Sequence, residues 1–147
     1  MIFVTVGTTE FDGLVKKIDE LVGKGAIKDE VVAQIGRGKY EPKNIDWFRF
    51  EPSLDSYFRK AGVVVTHEGA GTLLELVRMG KRAVAVENPD TVTNPDILDK
   101  FSGEGYVLKC DKVGAVGEYI KKAKKKKFSK YKKPQCSIAK EIEVFLK

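Results

Sequence analysis

Two glycine-bearing segments carry residue types suited to holding an anion. His67-Glu68-Gly69-Ala70-Gly71-Thr72 follows a short apolar run and leads into a helical pattern, and Gly7-Thr8-Thr9 follows another such run. Glycine lets the backbone approach a ligand closely, and the first turn of a helix offers unpaired N–H groups with about half a positive charge. The first segment fits a diphosphate, and the second adds turn backbone and two hydroxyls. Neither matches G-x-G-x-x-G or the Walker pattern, which speaks against a dinucleotide oxidoreductase and a P-loop ATPase. His67, at a strand tip beside the first segment, is placed to donate to a phosphate oxygen or a leaving-group charge; a purely structural histidine is the alternative. Glu75 reads in two ways. Thr72-Leu73-Leu74-Glu75 has capping-box spacing, with the carboxylate reaching back to the helix start, and the same carboxylate could instead accept from two sugar hydroxyls. Asn94-Pro95 reads first as an N-cap followed by proline at the first helical position, and Asp12 as a first-turn acid favoured by the helix dipole.

These segments need strands to deliver them. Apolar runs at residues 2–6, 31–35, 45–50, 63–66, 83–86 and 106–109 read as strands. Helical spacing joins Phe11, Leu14, Val15, Ile18, Leu21 and Val22, capped by Thr8 or Thr9 and ended by Gly23 or Gly25. Shorter stripes follow at Leu54, Tyr57, Phe58; at Leu73, Leu74, Val77, Met79, stopped by Gly80; at Ile97, Leu98, Phe101; and at Val113, Val116, Ile120, Ala123. Phe11 is expected to pack with Tyr57 and Phe58. Strands recurring every 14 to 29 residues with helices or loops between them predict an α/β fold. Its form is a Rossmann-like, open and mainly parallel sheet covered on both faces. In such a sheet, ligands bind beyond the carboxyl ends of the strands, which is where the glycine-bearing segments fall.

Composition narrows the function classes. The chain has 147 residues, 42% hydrophobic and 33% charged, a length able to bury a core without disulfide or metal support. Cys110 and Cys136 form no CxxC pair and His67 is the single histidine, so no multi-histidine metal centre is possible. A reducing cytosol is the expected compartment, since no leader-like N-terminus and no apolar stretch near the ~20 residues of a membrane span is evident. The net charge of +6 is concentrated: nine lysines between Lys121 and Lys133 occur without an acid, and the remaining 18 cations against 21 acids leave −3. Such a block suits a lipid headgroup layer or, with Phe128 and Tyr131 interleaved, a nucleic acid; a solvated helix end is the third reading. Residues 1–127 are expected to form the domain. Residues 128–147 would be a basic linker and a C-terminal helix whose stripe Ile138, Ile142, Phe145 and Leu146 could dock on a neighbour.

Three ordered motifs together resemble one family. They are Val6-Gly7-Thr8-Thr9-Glu10-Phe11-Asp12-Gly13-Leu14-Val15, Gln34-Ile35-Gly36 with Tyr40 and Pro42, and His67 through Glu75. The likeness, over about residues 1–125, is to the C-terminal, donor-binding domain of family 28 glycosyltransferases in its free-standing form. That form includes the catalytic subunit of the two-component N-acetylglucosamine transferase of lipid-linked oligosaccharide synthesis and related bacterial exopolysaccharide subunits.

The resemblance implies one half of a GT-B transferase, in which two Rossmann-like domains face each other with the acceptor on one and the nucleotide sugar on the other. It implies a UDP-sugar as substrate, UDP-N-acetylglucosamine favoured, with no cofactor and no metal. Transfer would be inverting, to a lipid-diphosphate-linked acceptor held by a membrane-anchored partner subunit, at the inner face of the membrane. Carried over by residue, Gly7, Thr8 and Thr9 would line the diphosphate. His67, Gly69, Ala70, Gly71 and Thr72 would hold it from the other side, with His67 the catalytic group. Glu75 would take the ribose hydroxyls, and backbone groups at Phe50 and Glu51 would face the uracil. Asn94 and Asp96 would reach the transferred sugar; the family has Asn-His-Gln where this chain has Asn94-Pro95-Asp96, so only Asn94 matches. Glu68 also replaces a usual small residue. A non-catalytic nucleotide-sugar module and a basic nucleic-acid-binding protein are the competing readings.

Overall fold

The computed structural model describes residues 1–67, 69–90 and 95–131. Its strands are β1 (Ile2–Thr5), β2 (Val31–Gln34), β3 (Asp46–Phe48), β4 (Val63–Thr66), β5 (Ala83–Val86) and β6 (Leu108–Cys110). They form one sheet in the order β3-β2-β1-β4-β5-β6, and every neighbouring pair is parallel. The helices are α1 (Asp12–Gly23), α2 (Asp55–Lys60), α3 (Ala70–Met79), α4 (Pro95–Gly103) and α5 (Val116–Lys125), the last entered through a 3-10 turn at Val113–Ala115. This is the expected Rossmann-like fold; β4 and β5 match their apolar runs, β1, β2 and β3 end before theirs do, and β6 starts two residues later and ends one residue later than expected.

Side chains alternate across the sheet because successive residues of a strand face opposite ways. Ile2, Val4 and Val6 join Val31, Ala33, Val63, Val65, Val84 and Val86 on the face covered by α1 and α5. Phe3, Val64, Ala83 and Ala85 lie on the face covered by α2, α3 and α4. Since both faces are covered, β1, β4 and β5 are buried along their whole length, which is why they read as unbroken apolar runs.

Three local expectations are corrected. Phe11 belongs to the α1 and α5 side, whereas Tyr57 and Phe58 lie on the other, where Phe3 stacks on Tyr57 at 4.9 Å between centroids. Neither Thr8 nor Thr9 caps α1; Phe11 occupies that position without a side-chain cap, and the Thr9 hydroxyl donates to the Val6 carbonyl at 2.8 Å. Nor do Thr72 and Glu75 make a capping box, because α3 starts at Ala70 with Gly69 as its cap and no side chain bonded there. Sequence spacing could not show that the helix begins two residues earlier than the threonine.

The Asn94 N-cap, Glu68 and the apolar stripe at 138–146 lie outside the described residues. Packing continues past residue 127: the Ser129 amide donates to the Gly105 carbonyl, Phe128 lies against the α1 and α5 core, and Tyr131 lies against the other. Among the described residues no helix is long and apolar enough to cross a membrane.

Candidate nucleotide-sugar site

The strand order reverses at β1. From β1 the chain builds outward through β2 and β3, then returns by α2 to place β4 on the other side of β1. Loops leaving the carboxyl ends of β1 and β4 therefore diverge and open a crevice between them, the position where open parallel sheets bind ligands. The register pairs Thr5 with Thr66, so the chain leaves β1 toward Gly7 and β4 toward His67 side by side.

The β1 tip is held from below. The Thr5 hydroxyl donates to Gln34 Oε1 at 2.6 Å and accepts from the Gly7 amide at 3.1 Å. Gly7 has φ +64°, a conformation that L side chains rarely adopt. Gly36, with φ +55° at the end of β2, packs beneath the same turn; a Cβ there would collide with the Thr9 carbonyl and lie 2.8 Å from that of Gly7. The Arg37 amide donates to the Thr9 carbonyl at 3.0 Å, and Arg49 Nη1 donates to the carbonyls of Gly36 and Gly38 at 3.2 and 2.7 Å. Asn88, only 4% exposed after β5, donates to the Glu10 carbonyl at 3.3 Å and ties this turn to the β5 loop. The Gln34-Ile35-Gly36 motif is thus the support of the first glycine turn.

His67 opens the second glycine-bearing segment and lies against Gly7 of the first. A Cβ on Gly7 would lie 3.6 Å from its Nε2, and one on Gly69 would lie 3.3 Å from its Cε1. Next to it α3 begins without a side-chain cap, so its first amides face the crevice with the positive end of the helix dipole. A Cβ on Gly71 would meet nothing within 4 Å. The packing of the fold therefore does not require a glycine there. Ala70 and Thr72 are half-buried in the same turn.

Further along the crevice, Glu75 projects from the second turn of α3 and shares a hydrogen bond with Asp55 of α2. Partial burial, then the Asp55 charge and that hydrogen bond, raise its carboxyl above the ordinary glutamate value. Asp55 did not stand out in the sequence, since nothing local links residues 20 positions apart on different helices. The Glu51 carboxylate accepts from the Tyr57 hydroxyl at 2.8 Å. Phe50, 54% exposed, is the sole exposed large hydrophobic side chain among the described residues. Asp96 lies in the first turn of α4.

On the α1 side of the same sheet edge, the loops after β1, β2 and β5 surround a cavity of about 430 Å³. Glu10, Asp12, Lys39, Asn88 and Asp90 line it, and the Lys39 amide donates to both Asp12 oxygens at 3.1 Å. Of the expected site residues, Gly7, Gly69 and His67 are directly in contact range, and Glu75 joins them through α3. Glu51 is connected to Glu75 through α2, which carries both Tyr57 and Asp55.

A Rossmann-like sheet with two glycine-bearing segments at its switch point, the second leading into a helix start, has the layout in which open parallel sheets bind ligands. The glycosyltransferase family 28 C-terminal domain model matches residues 1–147, and the chain belongs to that family. It is 32% identical over 122 residues to the UDP-N-acetylglucosamine transferase subunit ALG13 of Homo sapiens, covering 74% of this chain and 11% of that protein. The chain therefore spans about a tenth of the length of that relative. Among solved structures it is similar to the glycosyltransferase SnogD from Streptomyces nogalater, with TM-score 0.63, 23% identity and coverage of 83% of this chain and 34% of that one. It is also similar to a solution structure of ALG13, with TM-score 0.60, 19% identity and coverage of 95% and 92%.

Proposed function

We propose that this chain is the donor-binding subunit of an inverting glycosyltransferase. It takes a UDP-sugar, UDP-N-acetylglucosamine favoured, and works with a membrane-anchored subunit that holds a lipid-diphosphate-linked acceptor. The observation that carries the reading is the His67 imidazole seated between Gly7 and Gly69, beside the uncapped start of α3. Family membership and the likeness to ALG13, a UDP-N-acetylglucosamine transferase subunit by name, support the donor and the need for a companion.

In this reading the amides of Gly7, Thr8 and Thr9 and those at the start of α3 hold the diphosphate, and Glu75 accepts from the ribose hydroxyls. Backbone groups at Phe50 and Glu51 face the uracil, and Asn94 and Asp96 reach the sugar. The acceptor hydroxyl attacks the anomeric carbon; the bond from that carbon to the β-phosphate oxygen breaks, and its electron pair leaves with UDP. Helix-start amides and His67 stabilise the charge that develops there, and the hydroxyl proton passes to a base on the partner subunit.

His67→Ala is expected to lower turnover in the assembled complex about a hundredfold or more, with the thermal midpoint of the chain little changed. Unchanged turnover removes the role. Calorimetry with UDP tests the site itself, and absence of binding to the wild-type chain would sink the whole assignment.

A further inference from the structure

We propose a second binding surface, at the sheet edge opposite the nucleotide site, whose partner is an acidic lipid bilayer. A cavity of about 500 Å³ opens where α3 ends, β5 begins and residues 126–131 pass over them. Six cations line it, Arg78, Lys81, Arg82, Lys126, Lys127 and Lys130, and among the described residues no acidic side chain does. They come from two segments more than forty residues apart, so this is not simply the lysine run.

Their charge is not cancelled. Lys81 Nζ donates to the carbonyls of Arg59 and Ala61 at 3.0 and 3.2 Å, and Arg82 donates to the carbonyls of Ala123 and Lys124. Lys126 lies 5.8 Å from the centroid of the Phe128 ring. All these partners are neutral, and among the described residues none of the six cations forms an ion pair. The rest of the lysine run behaves differently. Lys124 pairs with Asp29 at 2.5 Å, and Lys121 and Lys124 border the groove between α1 and α5 that also contains Glu118. Folding thus pairs Lys124 with an acid, while Lys126, Lys127 and Lys130 make no ion pair among the described residues and are joined by Arg78, Lys81 and Arg82.

The aromatic side chains favour a bilayer over a nucleic acid. Binding a single strand needs exposed ring faces on which bases stack. Here Tyr106 packs edge-on against Tyr131 at 6.2 Å and against Phe101 at 6.2 Å, and Phe128 and Tyr131 are half-buried. A lipid surface requires only clustered cations held within about one Debye length, roughly 8–10 Å, of its headgroups. Arg82 directly precedes the first residue of β5, whereas the nucleotide site lies past the last residues of β1 and β4. Occupying one edge leaves the other open.

The test is co-sedimentation of the full chain with phosphatidylcholine vesicles containing about one-third phosphatidylserine, against pure phosphatidylcholine. The expected result is binding to the acidic vesicles alone, weakened about a hundredfold in the variant Arg78→Gln, Lys127→Gln, Lys130→Gln and within about twofold of wild type in Lys121→Gln, Lys122→Gln. No binding to acidic vesicles, or equal loss in both variants, overturns the proposal. So does competition by single-stranded RNA at lower concentration than lipid, which assigns the surface to nucleic acid, or full competition by millimolar inorganic phosphate, which assigns it to a small anion. Calorimetry with UDP on the same triple variant, expected unchanged, keeps the two sites separate: a chain that binds vesicles but not UDP fails the sugar-transfer reading alone.

Discussion

Glu75 and Asp55 illustrate how much a side chain's chemistry depends on a partner remote in sequence. Burial, with Asp55 close by, holds the Glu75 carboxyl above its usual range, and a protonated carboxyl has lost acceptor capacity for a pair of hydroxyls. Affinity for UDP is therefore expected to strengthen as pH rises through that raised value. Replacing Asp55 with Asn removes the like charge, so Glu75 ionises at lower pH and the midpoint of the affinity profile moves down. Calorimetric titrations across the acid range check this, and a profile unmoved by Asp55→Asn would mean that Glu75 does not meet the ribose. His67 was legible as a candidate from its position at a strand tip, but its contact with Gly7 was not, because those residues lie 60 positions apart.

At the scale of elements, the loop between β2 and β3 hangs on one buried carboxylate. Asp19 of α1, 2% exposed, accepts from the Tyr40 hydroxyl at 2.6 Å, from the Asn44 amide at 2.7 Å and from the Lys43 amide at 3.0 Å. Burial by itself would raise its pKa, but the combined hydrogen bonds from Tyr40, Lys43 and Asn44 outweigh it and lower the value. The same bond pushes the Tyr40 hydroxyl up to about 12. A carboxylate depressed in the folded state contributes stability that is present above its unfolded value, about 3.9, and is lost as pH falls toward the folded one. Asp19→Ala leaves three donors without their acceptor and is expected to cost about 2–4 kcal/mol at neutral pH. The difference from wild type should shrink below about pH 4, as denaturant melts at a series of pH values would record. The family resemblance included Tyr40 and Pro42, whereas nothing in the sequence singled out Asp19.

Across the whole molecule, the proposed nucleotide site and the basic cavity occupy opposite edges of one sheet. In the proposed reading the crevice at the carboxyl edge takes the nucleotide sugar and a second subunit brings the acceptor to it. Sugar transfer from labelled UDP-N-acetylglucosamine is accordingly expected only when the acceptor subunit is added, with UDP binding already present in the chain alone. Transfer by the isolated chain would contradict the division of labour, and UDP binding without transfer in either case would favour a non-catalytic module.

The sequence by itself determined the strand runs, the helical stripes and the two glycine turns, because each arises from contacts or backbone constraints between residues a few positions apart. Apolar periodicity fixes which face of an element is buried, and glycine marks where φ must be positive or a backbone must be approached. Strand order was decided only by tertiary structure, and with it every pairing that gives the site and the cavity their chemistry: Gly7 with His67, Gly36 with Thr9, Asp55 with Glu75, Asn88 with Glu10, and Arg78 with Lys127. Those pairs are 20 to 80 positions apart, and no local propensity reports on them. Where helices begin was decided there too, since the start of α3 at Ala70 depends on how β4 delivers the chain to the crevice.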